Sequence, residues 1–568
     1  MPGLGLRLPN IACRHWHQDQ PGSAPARPTL LPSLRRGDPA SPPSKEDATI
    51  SPTNSSVGRE RSSKRQSTHI DCRAFVPERV DMKISRRYSI GKVEIGSGGC
   101  GKVFTAEDRE VQGRRVAIKK VRVRDEAVQD AFRREVLIMK DLVHPNICKL
   151  LETYDEGKYM YLIMELCEGG EVFDRIMQHG PMTEKATARI VKQVAGAVKY
   201  AHGKGIAHRD LKPENICFCT DDPNDTNVKV IDWGVGFHFG FSRMQTEVGS
   251  ATYMAPEVLG AFSGEGGYSS ACDLWSLGVL TYIMLCGKPP FYGTTSEQLD
   301  MMRNEQIPMD DPAWQTISSD AIEFIRSLIK FVPEERLDID EVLAHPWLST
   351  EEAQVDATAA ERVLSNLSRF RKRRSNASRF YWLCMASVAQ QLDHRSLRDV
   401  RQVFHAMDRN GDGLLTVQEV RTSLARIFGQ DSTHLKGVED MFARLDLDGS
   451  GRIDYSEFCA AAIGDCSHGD GQALRAAFKA FDIVDDDGRI TQDDITEMLA
   501  RANAGNQGAG RTLPREKCEE VAGEIFKRFD QDGDGFLDFE EWRALMQQCA
   551  VRCMDSNAPS TDVSPSTA

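Results

Sequence analysis

The chain has 568 residues, a formal net charge of -13 and 40% hydrophobic residues. At about 100 to 200 residues per domain this length predicts several domains, and no uninterrupted apolar run approaches the roughly 18 residues of a membrane-spanning helix. The 15 cysteines are scattered, with no signal-peptide core before them. We therefore expect reduced thiols in a compartment such as the cytoplasm, which excludes a secreted disulfide scaffold.

The charge is unevenly distributed along the chain. Residues 1–85 carry about +5, whereas residues 400–550 hold about 29 acidic and about 17 basic side chains. This concentration of acid at one end favours bound cations and argues against nucleic acid as a partner.

The two ends of the chain have the composition of unstructured segments. Residues 1–85 are rich in Pro, Ser and Arg without an apolar period, so they bury too little surface to offset their ordering entropy, and we expect a disordered tail. An Arg-rich, acid-poor start is also compatible with an organelle transit peptide. The polar residues 551–568 predict a second flexible tail.

Between residues 88 and 348 strand-like runs come first and helical patterns follow. Apolar runs such as Tyr159–Met164 precede longer helical stretches such as Ala271–Cys286. This order predicts a small lobe built on a sheet, followed by a helical lobe.

The first motif with chemical content is a glycine-rich turn between two strands. It comprises Gly96, Ser97, Gly98, Gly99, Cys100 and Gly101, followed by Val103. Absent side chains let backbone N–H groups approach phosphate oxygens, although a hairpin without a ligand would look similar. The next strand carries Val116, Ala117, Ile118 and Lys119, which places a cation near such phosphates. Glu135, on a following helix, can hold this lysine by an ion pair.

A second cluster supplies the groups for phosphoryl transfer. Asp210 offers a carboxylate for an incoming hydroxyl, Lys212 a cation for the transferring phosphate, and Asn215 and Asp232 offer oxygen ligands for Mg²⁺. Any one of these residues could be an ordinary surface ion pair or turn former. Their common order along the chain makes coincidence negligible.

These motifs resemble the protein kinase family over residues 88–348, which implies an α+β two-lobed fold and transfer of the ATP γ-phosphate. The resemblance implies that Asp210 is the catalytic base, that Lys212, Lys119 and Glu135 are catalytic, and that Asn215 and Asp232 bind Mg²⁺. It implies that ATP contacts the glycine-rich turn with Val103, Ala117 and Lys119, the backbone of Glu165 and Cys167 beyond the gatekeeper Met164, and Glu171. Glu257 is expected to pair with Arg336.

Two features of the kinase region bear on substrate choice. Lys212, two residues after Asp210, and the Gly249-Ser250 step resemble Ser/Thr kinases rather than tyrosine kinases. Glu171 and Glu214 lie where relatives use carboxylates to bind basic residues before the phosphoacceptor. We therefore expect an Arg-containing protein substrate, with structural salt bridges for the two glutamates as an equal alternative.

The sequence departs from the kinase pattern at Trp233, where relatives have Phe. This keeps the neighbouring metal ligand but enlarges a ring whose packing distinguishes active from inactive states, so we expect altered inactive-state packing with retained catalysis. In the activation loop, either Glu247 supplies a standing charge for Arg209, or Thr246 is a candidate phosphorylation site that supplies it.

Residues 399–550 repeat a 12-residue pattern of oxygen-bearing side chains around a glycine. This spacing is that of the EF-hand loop, which wraps oxygen ligands around one Ca²⁺. The predicted ligands are Asp408, Asn410, Asp412, Leu414 and Glu419 in the first copy; Asp446, Asp448, Ser450, Arg452 and Glu457 in the second; and Asp530, Asp532, Asp534, Phe536 and Glu541 in the last. Mg²⁺ is the competing ion, but the bidentate final Glu favours Ca²⁺.

The third copy of the EF-hand pattern is damaged. Asp482 lies one residue too far from Gly488, and Asp494 replaces the final Glu. We predict weak or absent Ca²⁺ binding there, with the helix-loop-helix retained to partner the fourth hand.

A basic amphipathic segment over residues 360–398 joins the kinase region to the EF-hands. Its apolar residues fall at three- and four-residue spacing around Arg371-Lys-Arg-Arg374; they are Val363, Leu367, Phe370, Phe380, Cys384 and Val388. Such a segment is typical of a calmodulin-type target or a membrane-surface helix, and a plain linker helix is the simpler alternative. The adjoining acidic hands favour capture within the same chain.

This order of modules resembles the calcium-dependent protein kinases of plants and apicomplexan-type protists over residues 88–550. The resemblance implies a calcium-activated serine/threonine kinase, expected to be a monomer, that uses ATP, Mg²⁺ and Ca²⁺ and whose junction inhibits the kinase until the EF-hand domain captures it. Two alternatives remain at this point: a catalytically dead scaffold that senses Ca²⁺, and a constitutive kinase whose hands recruit partners.

Overall fold

The computed structural model describes residues 76–98, 101–239, 244, 251–260, 268–349, 356–369, 376–446, 450–463, 471–484, 487–504 and 514–554. Thr246, Gly99, Cys100, Phe370 and Asp448, which carry sequence predictions, lie outside this part. Within the described residues, no helix combines the length and the apolar character needed to cross a membrane.

The small lobe is a six-stranded sheet with two helices. The strands are β1 (Glu78–Val80), β2 (Tyr88–Gly98), β3 (Gly101–Asp108), β4 (Arg115–Arg122), β5 (Leu150–Asp155) and β6 (Tyr159–Glu165), and the helices are α1 (Ile84–Arg87) and α2 (Glu126–Asp141). The sheet order is β1-β5-β6-β4-β3-β2; β1 runs parallel to β5, and the other pairs are antiparallel. Asp125 begins α2 by accepting a hydrogen bond from the Val128 amide at 2.9 Å.

The large lobe is mainly helical, with two short strand pairs at its boundary with the sheet. Its elements are α3 (Val172–His179), α4 (Glu184–Gly203), β7 (Ile206–Ala207), β8 (Ile216–Phe218), β9 (Val228–Val230), β10 (Phe237–His238), α5 (Pro256–Leu259), α6 (Ala271–Cys286), α7 (Thr295–Arg303), α8 (Ser319–Leu328), α9 (Ile339–Ala344) and α10 (Pro346–Ser349). Helix α6 is apolar on nearly all sides, so it is buried in the centre of the lobe.

The C-terminal part is helical. Its elements are α11 (Ala357–Arg369), α12 (Asn376–Gln391), α13 (Arg398–Met407), β11 (Leu414–Leu415), α14 (Val417–Phe428), α15 (Val438–Leu445), β12 (Ile453–Asp454), α16 (Tyr455–Ala462), α17 (Gly471–Phe481), α18 (Gln492–Ala504), α19 (Arg515–Phe529) and α20 (Phe539–Met554). The loop strands β11 and β12 pair with each other, and a bridge between Ile490 and Leu537 joins the third and fourth hands. The two-lobed α+β kinase fold followed by helical EF-hands confirms the predicted fold class.

Three predicted boundaries differ from the structure. The predicted disordered tail over residues 1–85 is wrong for residues 76–85, because Val76 is buried and β1 pairs with β5, where Arg79 forms an ion pair with Glu152. The predicted junction helix over 360–398 is two helices, α11 and α12. The first residues of the predicted tail over 551–568 are helical, since α20 continues to Met554.

Candidate functional site

The glycine-rich hairpin of β2 and β3 passes close to β4. In the described part of this hairpin, Gly96 pairs with Val103, Ser97 with Lys102, and Gly98 with Gly101. At Gly101 a Cβ would lie only 2.7 Å from the Lys120 carbonyl oxygen, so this position requires glycine. The close approach brings the hairpin beside the strand that carries Lys119, which pairs with Val103 across the sheet.

Lys119 holds together three elements of the kinase region. Its Nζ lies 2.5 Å from Glu135 Oε1 on α2 and 2.7 Å from Asp232 Oδ1 in the loop after β9. Burial opposes the charge of Lys119, but the two carboxylates raise its pKa above the usual value. Burial also opposes the ionisation of Asp232, and Lys119 nevertheless holds the pKa of that carboxyl below its usual value. A fixed cation therefore stands beside an ionised carboxylate at the junction of the two lobes.

The proposed catalytic base is held by its own loop. Asp210 Oδ2 accepts hydrogen bonds from Lys212 Nζ at 2.7 Å and from Asn215 Nδ2 at 3.1 Å. The Asn215 amide nitrogen also donates to the Asp210 carbonyl oxygen at 2.8 Å. Because its nitrogen is engaged on both contacts, the amide oxygen of Asn215 is the atom left for a metal ion.

A buried carboxylate that the sequence analysis missed positions this loop. Asp273, on α6, accepts from the backbone N–H groups of His208 at 2.9 Å and Arg209 at 2.8 Å, and lies 2.8 Å from His202 Nε2. Arg209 has a φ of 68°, a strained conformation for a non-glycine residue that these bonds help to hold. An acidic residue in an otherwise apolar helix was the signal available in the sequence.

Trp233 is enclosed in the large-lobe core next to the loop that carries His208 and Asp210. It is 1% exposed, and its ring packs edge-on against His208 with ring centroids 4.6 Å apart. Its Nε1–H has no hydrogen-bond partner among the described residues. The indole thus fits the space but leaves a buried donor unsatisfied, which costs free energy.

The activation segment is anchored at its C-terminal end. Arg336 donates to both carboxylate oxygens of Glu257, at 2.6 and 2.7 Å, which confirms the predicted pair. Arg209, expected to meet a charge from Glu247 or Thr246, donates in the described part to the Val235 carbonyl oxygen at 2.6 Å and to the Tyr268 hydroxyl at 3.2 Å. Those two candidate partners lie outside the described residues.

The segment after β6 carries the predicted adenine contacts. Met164 pairs with Ala117 across the sheet, at the start of this segment. The Glu165 side chain, whose backbone was the predicted contact, is buried and lies 2.8 Å from Lys229 Nζ. Cys167 follows two residues later on the same segment.

Glu171 and Glu214 lie near each other and near the glycine-rich hairpin. A Cβ on Gly96 would lie 4.0 Å from Glu171 Oε1. Burial, together with Asp174 and Glu214, raises the pKa of Glu171 to about 7. Burial also raises the pKa of Glu214, whose Oε2 lies 3.5 Å from the Tyr253 hydroxyl. Neither glutamate has an ion pair among the described contacts, so the two carboxyl groups are suited to a cationic side chain.

The first, second and fourth EF-hand loops share one internal geometry. The first aspartate of each loop accepts the backbone N–H of the central glycine: Asp408 from Gly413 at 2.9 Å, Asp446 from Gly451 at 3.0 Å, and Asp530 from Gly535 at 3.1 Å. Each central glycine has positive φ, which only glycine adopts without strain. This shared hydrogen bond gives the three loops the same turn around the central glycine.

Two observations test whether these loops suit a cation. Carboxylate oxygens of Asp530, Asp532 and Glu541 all lie within 4.8 Å of one another. Asp408 Oδ1 is buried without a hydrogen-bond partner in the described part, and burial, with Asp412 and Glu419 nearby, raises its pKa to about 7. Converging carboxylates of this kind fit a hard cation with oxygen ligands.

The third loop closes by a different arrangement. Asp494 is fully buried. Its Oδ1 accepts from the amides of Ile483 at 2.9 Å and Val484 at 2.8 Å, and its Oδ2 accepts from the Thr491 amide at 2.8 Å and hydroxyl at 2.6 Å. Asp494 thus stands where the other hands have their final glutamate, and N–H and O–H groups of its own loop hold it there. The helix-loop-helix is retained, as predicted.

The junction helices pack into the core of the EF-hand region. The described predicted apolar residues are all buried there: Val363, Leu367, Phe380, Cys384 and Val388. They pack with residues from all four hands, such as Phe458 and Trp542. The junction is therefore enclosed by the EF-hand helices of the same chain.

The C-terminal end of α12 is bound by the kinase region. Buried Lys149, just before β5, donates to the Leu392 carbonyl oxygen at 2.6 Å and reaches those of Gln390 and Ala389 at 3.4 and 3.5 Å. Gln390 Nε2 donates back to the Leu150 carbonyl oxygen at 3.0 Å. Lys149 was missed in the sequence, since its partners lie about 240 residues away.

The first hand also contacts the kinase region. Its loop lies against α4, where Lys199 Nζ donates to the Asn410 carbonyl oxygen at 2.8 Å. A Cβ on Gly196 would lie 3.5 Å from the Gly411 carbonyl oxygen. A predicted Ca²⁺ loop is thus in direct contact with a helix of the large lobe.

Comparisons with known proteins agree with this division of the chain. The protein kinase domain family matches residues 89–348, and the EF-hand domain pair family matches residues 397–463 and 472–547. Calcium-dependent protein kinase 5 of Plasmodium falciparum (isolate 3D7) is 32% identical, with 82% of this chain and 78% of the relative covered. Calcium-dependent protein kinase 3 of Plasmodium berghei (strain Anka) is 33% identical, covering 81% and 80%. Calcium-dependent protein kinase 20 of Oryza sativa subsp. japonica is 32% identical, covering 82% and 81%. The chain therefore belongs to the family of calcium-dependent protein kinases.

Proposed function

We propose that this chain, a calcium-activated serine/threonine protein kinase by its domains and relatives, transfers the γ-phosphate of Mg-ATP to hydroxyls near an arginine of its protein substrate. The observation that carries the proposal is the ordered set of Lys119, Asp232 and Asp210 between the two lobes. Lys119 is fixed by Glu135 and Asp232 at 2.5 and 2.7 Å, so the cation is already in place for a triphosphate.

Side chains of the protein accept the proton of the substrate hydroxyl and stabilise the charge on the transferring phosphate. Asp210 is oriented by Lys212 and Asn215, and accepts the proton of the substrate hydroxyl. Lys212, 2.7 Å from that carboxylate, stabilises charge on the transferring group. Asn215 and Asp232 offer oxygens that would hold Mg²⁺, which when bound neutralises charge on the phosphates.

Glu171 and Glu214 provide the proposed specificity for arginine. Burial is the main cause of both raised pKa values, and the nearby Lys212 only partly offsets it. A substrate guanidinium would supply a cationic partner and favour ionisation of both glutamates. The two ionised glutamates would not attract a neutral residue and would repel an acidic one.

The proposed switch uses the junction. At rest the junction restrains the kinase; with Ca²⁺ the EF-hand domain encloses it, as α11 and α12 are enclosed here. Moving such an equilibrium from 1:99 to 99:1 requires about 5.5 kcal/mol, and one state-selective site at a hundred times its Kd contributes about 2.7 kcal/mol. Two intact hands suffice, and three leave a margin.

We further propose that the chain acts as a monomer in a reducing compartment such as the cytoplasm. The monomer is supported by the junction, which finds its partner within the chain. The reducing compartment is supported by the cysteines described by the structure, which are free thiols.

Phosphate transfer from Mg-ATP to an Arg-containing Ser/Thr peptide tests the proposal, in micromolar free Ca²⁺ and again in excess chelator. Activity that requires Ca²⁺ in the wild-type chain and disappears in Asp210→Asn supports it. Equal activity in both conditions contradicts the switch. Absence of transfer in both contradicts the kinase activity.

A further inference from the structure

The third EF-hand contacts the small lobe of the kinase region. Helix α17, which enters this hand, reaches the small lobe at three places. A Cβ on Gly113 would lie 3.2 Å from Gln472 Nε2, Lys479 Nζ lies 3.2 Å from Glu110 Oε2, and Arg79 binds the end of the helix. These contacts join segments about 400 residues apart in the sequence.

Arg79 makes the most buried of these contacts. Its guanidinium is 2% exposed and donates to the carbonyl oxygens of Lys479 at 3.0 Å and Asp482 at 3.1 Å. Carbonyl groups at a helix C-terminus have no partner within the helix and carry partial negative charge, so a cation there is stabilising.

The charge of Arg79 is balanced inside the small lobe. Its Nε donates to Glu152 Oε2 at 2.9 Å, and Arg87 NH1 approaches the same oxygen at 3.1 Å. Burial opposes ionisation of Glu152, but Arg87 and Arg79 lower its pKa to about 2. An ionised carboxylate therefore holds the guanidinium on β1, while NH1 and NH2 each donate one hydrogen bond to the third hand.

The loop that follows α17 is held by hydrogen bonds between its own groups. Asp494 uses both carboxylate oxygens on four hydrogen bonds within the loop, and Asp482 accepts the Gly488 amide at 2.8 Å. The hand is paired with the fourth hand through Ile490 and Leu537, whose backbone groups exchange hydrogen bonds at 3.0 and 2.8 Å. The third hand is thus held both by its own loop and by the fourth hand.

We propose that the third EF-hand is a docking element for the small lobe, held by Arg79, and that it is not a calcium site. In this role the hand links the Ca²⁺-binding fourth hand to the sheet that carries Lys119. The inference rests on the proposed function for its consequence on activity, whereas the docking contact itself can be measured without activity.

Hydrogen exchange of the full-length chain in saturating Ca²⁺ tests the contact. Arg79→Met is expected to speed exchange at the C-terminal end of α17 by about tenfold or more, since hydrogen bonds to charged groups are among the stronger ones. The matched control Arg86→Met removes an exposed arginine seven residues away and should leave this exchange unchanged. Equal exchange in the two variants would overturn the docking role.

A charge exchange provides an independent test if Arg79→Met does not fold. Lys479→Glu places like charges opposite Glu110 and should speed the same exchange, and adding Glu110→Lys should restore it. Failure of the double variant to recover would contradict the contact.

Calorimetry and activity complete the test. Calorimetry should count three bound Ca²⁺ in both the wild-type chain and Asp494→Asn. Four ions in the wild-type chain and three in Asp494→Asn would show that the third hand binds Ca²⁺ and would refute the calcium-independent role. A thirtyfold loss in the docking equilibrium, shared by three cooperating ions, raises the half-maximal Ca²⁺ concentration for activity about threefold in Arg79→Met. If the wild-type chain shows no Ca²⁺ stimulation, the proposed function fails, while exchange still decides the docking role.

Discussion

Trp233 packs edge-on against His208, with ring centroids 4.6 Å apart, and its indole N–H has no hydrogen-bond partner among the described residues. Trp233→Phe removes a donor whose burial costs about 1–3 kcal/mol, and it also removes apolar contact area. We expect the Ca²⁺-stimulated rate to change by less than about twofold, with a changed ratio of basal to stimulated rate. Kinase assays with and without Ca²⁺ measure both. Trp314→Phe, at another buried indole without a partner in the described part, is the control, and an unchanged ratio would contradict the role of Trp233 in inactive-state packing.

Asp273 supports the catalytic loop without being a proposed contact of the substrate. Asp273→Asn replaces one acceptor oxygen by an N–H group that faces other donors, so we expect a loss of about 3 kcal/mol in the free energy of unfolding of the kinase region. The stimulated kcat should fall more than the KM for ATP changes, because the loop holding Asp210 is displaced. Denaturant unfolding and steady-state kinetics measure the two effects. Asp300→Asn, at an exposed ion pair with Arg303, should leave both unchanged.

The raised pKa of Glu171 predicts a pH dependence of substrate binding. Burial and the neighbouring Asp174 and Glu214 raise this pKa to about 7, so the ionised form that attracts arginine grows as the pH rises through 7. The KM for an Arg-containing peptide should therefore fall between pH 6 and pH 8. The same profile with Glu171→Gln, and with a peptide in which Arg is replaced by Ala, should be flatter. A KM that rises with pH in the wild-type chain would refute this role.

Lys149 is expected to stabilise the conformation in which α12 is docked. Lys149→Met keeps an apolar side chain of similar length but removes the donor to Leu392, at 2.6 Å in the structure. The half-maximal Ca²⁺ concentration should rise by about threefold for the loss of a hydrogen bond to a charged group, with the maximal rate retained. A Ca²⁺ titration of activity measures this shift. Lys158→Met, at an exposed position of the same lobe, is the control, and equal midpoints would contradict the expectation.

Removing the final ligand of the fourth hand should remove one Ca²⁺ site. Glu541→Gln weakens the cluster with Asp530 and Asp532, because the amide cannot offer two anionic oxygens to one ion. Calorimetry should then count two Ca²⁺ instead of three. Glu540→Gln changes the adjacent glutamate, which pairs with Arg543 on the surface, and should still give three.

Local motifs made much of the kinase site predictable. A lysine on a strand and a glutamate on the following helix predicted the pair of Lys119 and Glu135, and the kinase resemblance implied that Glu257 would meet Arg336. Both pairs form. Periodicity likewise predicted the buried face of the junction, because amphipathic helices repeat at three and four residues.

Contacts between segments that are distant in the sequence could not be predicted from motif spacing or periodicity. Strand β1 is too short to show a period, and it is stabilised by Arg79 bonding to β5 and to a helix 400 residues away. The buried role of Asp273 also depends on where α6 passes the catalytic loop. These features arise from tertiary packing, which a single sequence does not encode at fixed spacing.

Lys149 and Arg79 attach the C-terminal part of the chain through its main-chain oxygens at helix ends. Most substitutions at Leu392 or Lys479 would keep those oxygens in place, so the acceptor positions can diverge during evolution without compensating changes in the two cations. A search for pairs of coevolving side chains would therefore not detect this attachment. Its signature in related sequences would be two cations retained opposite segments of freely varying composition.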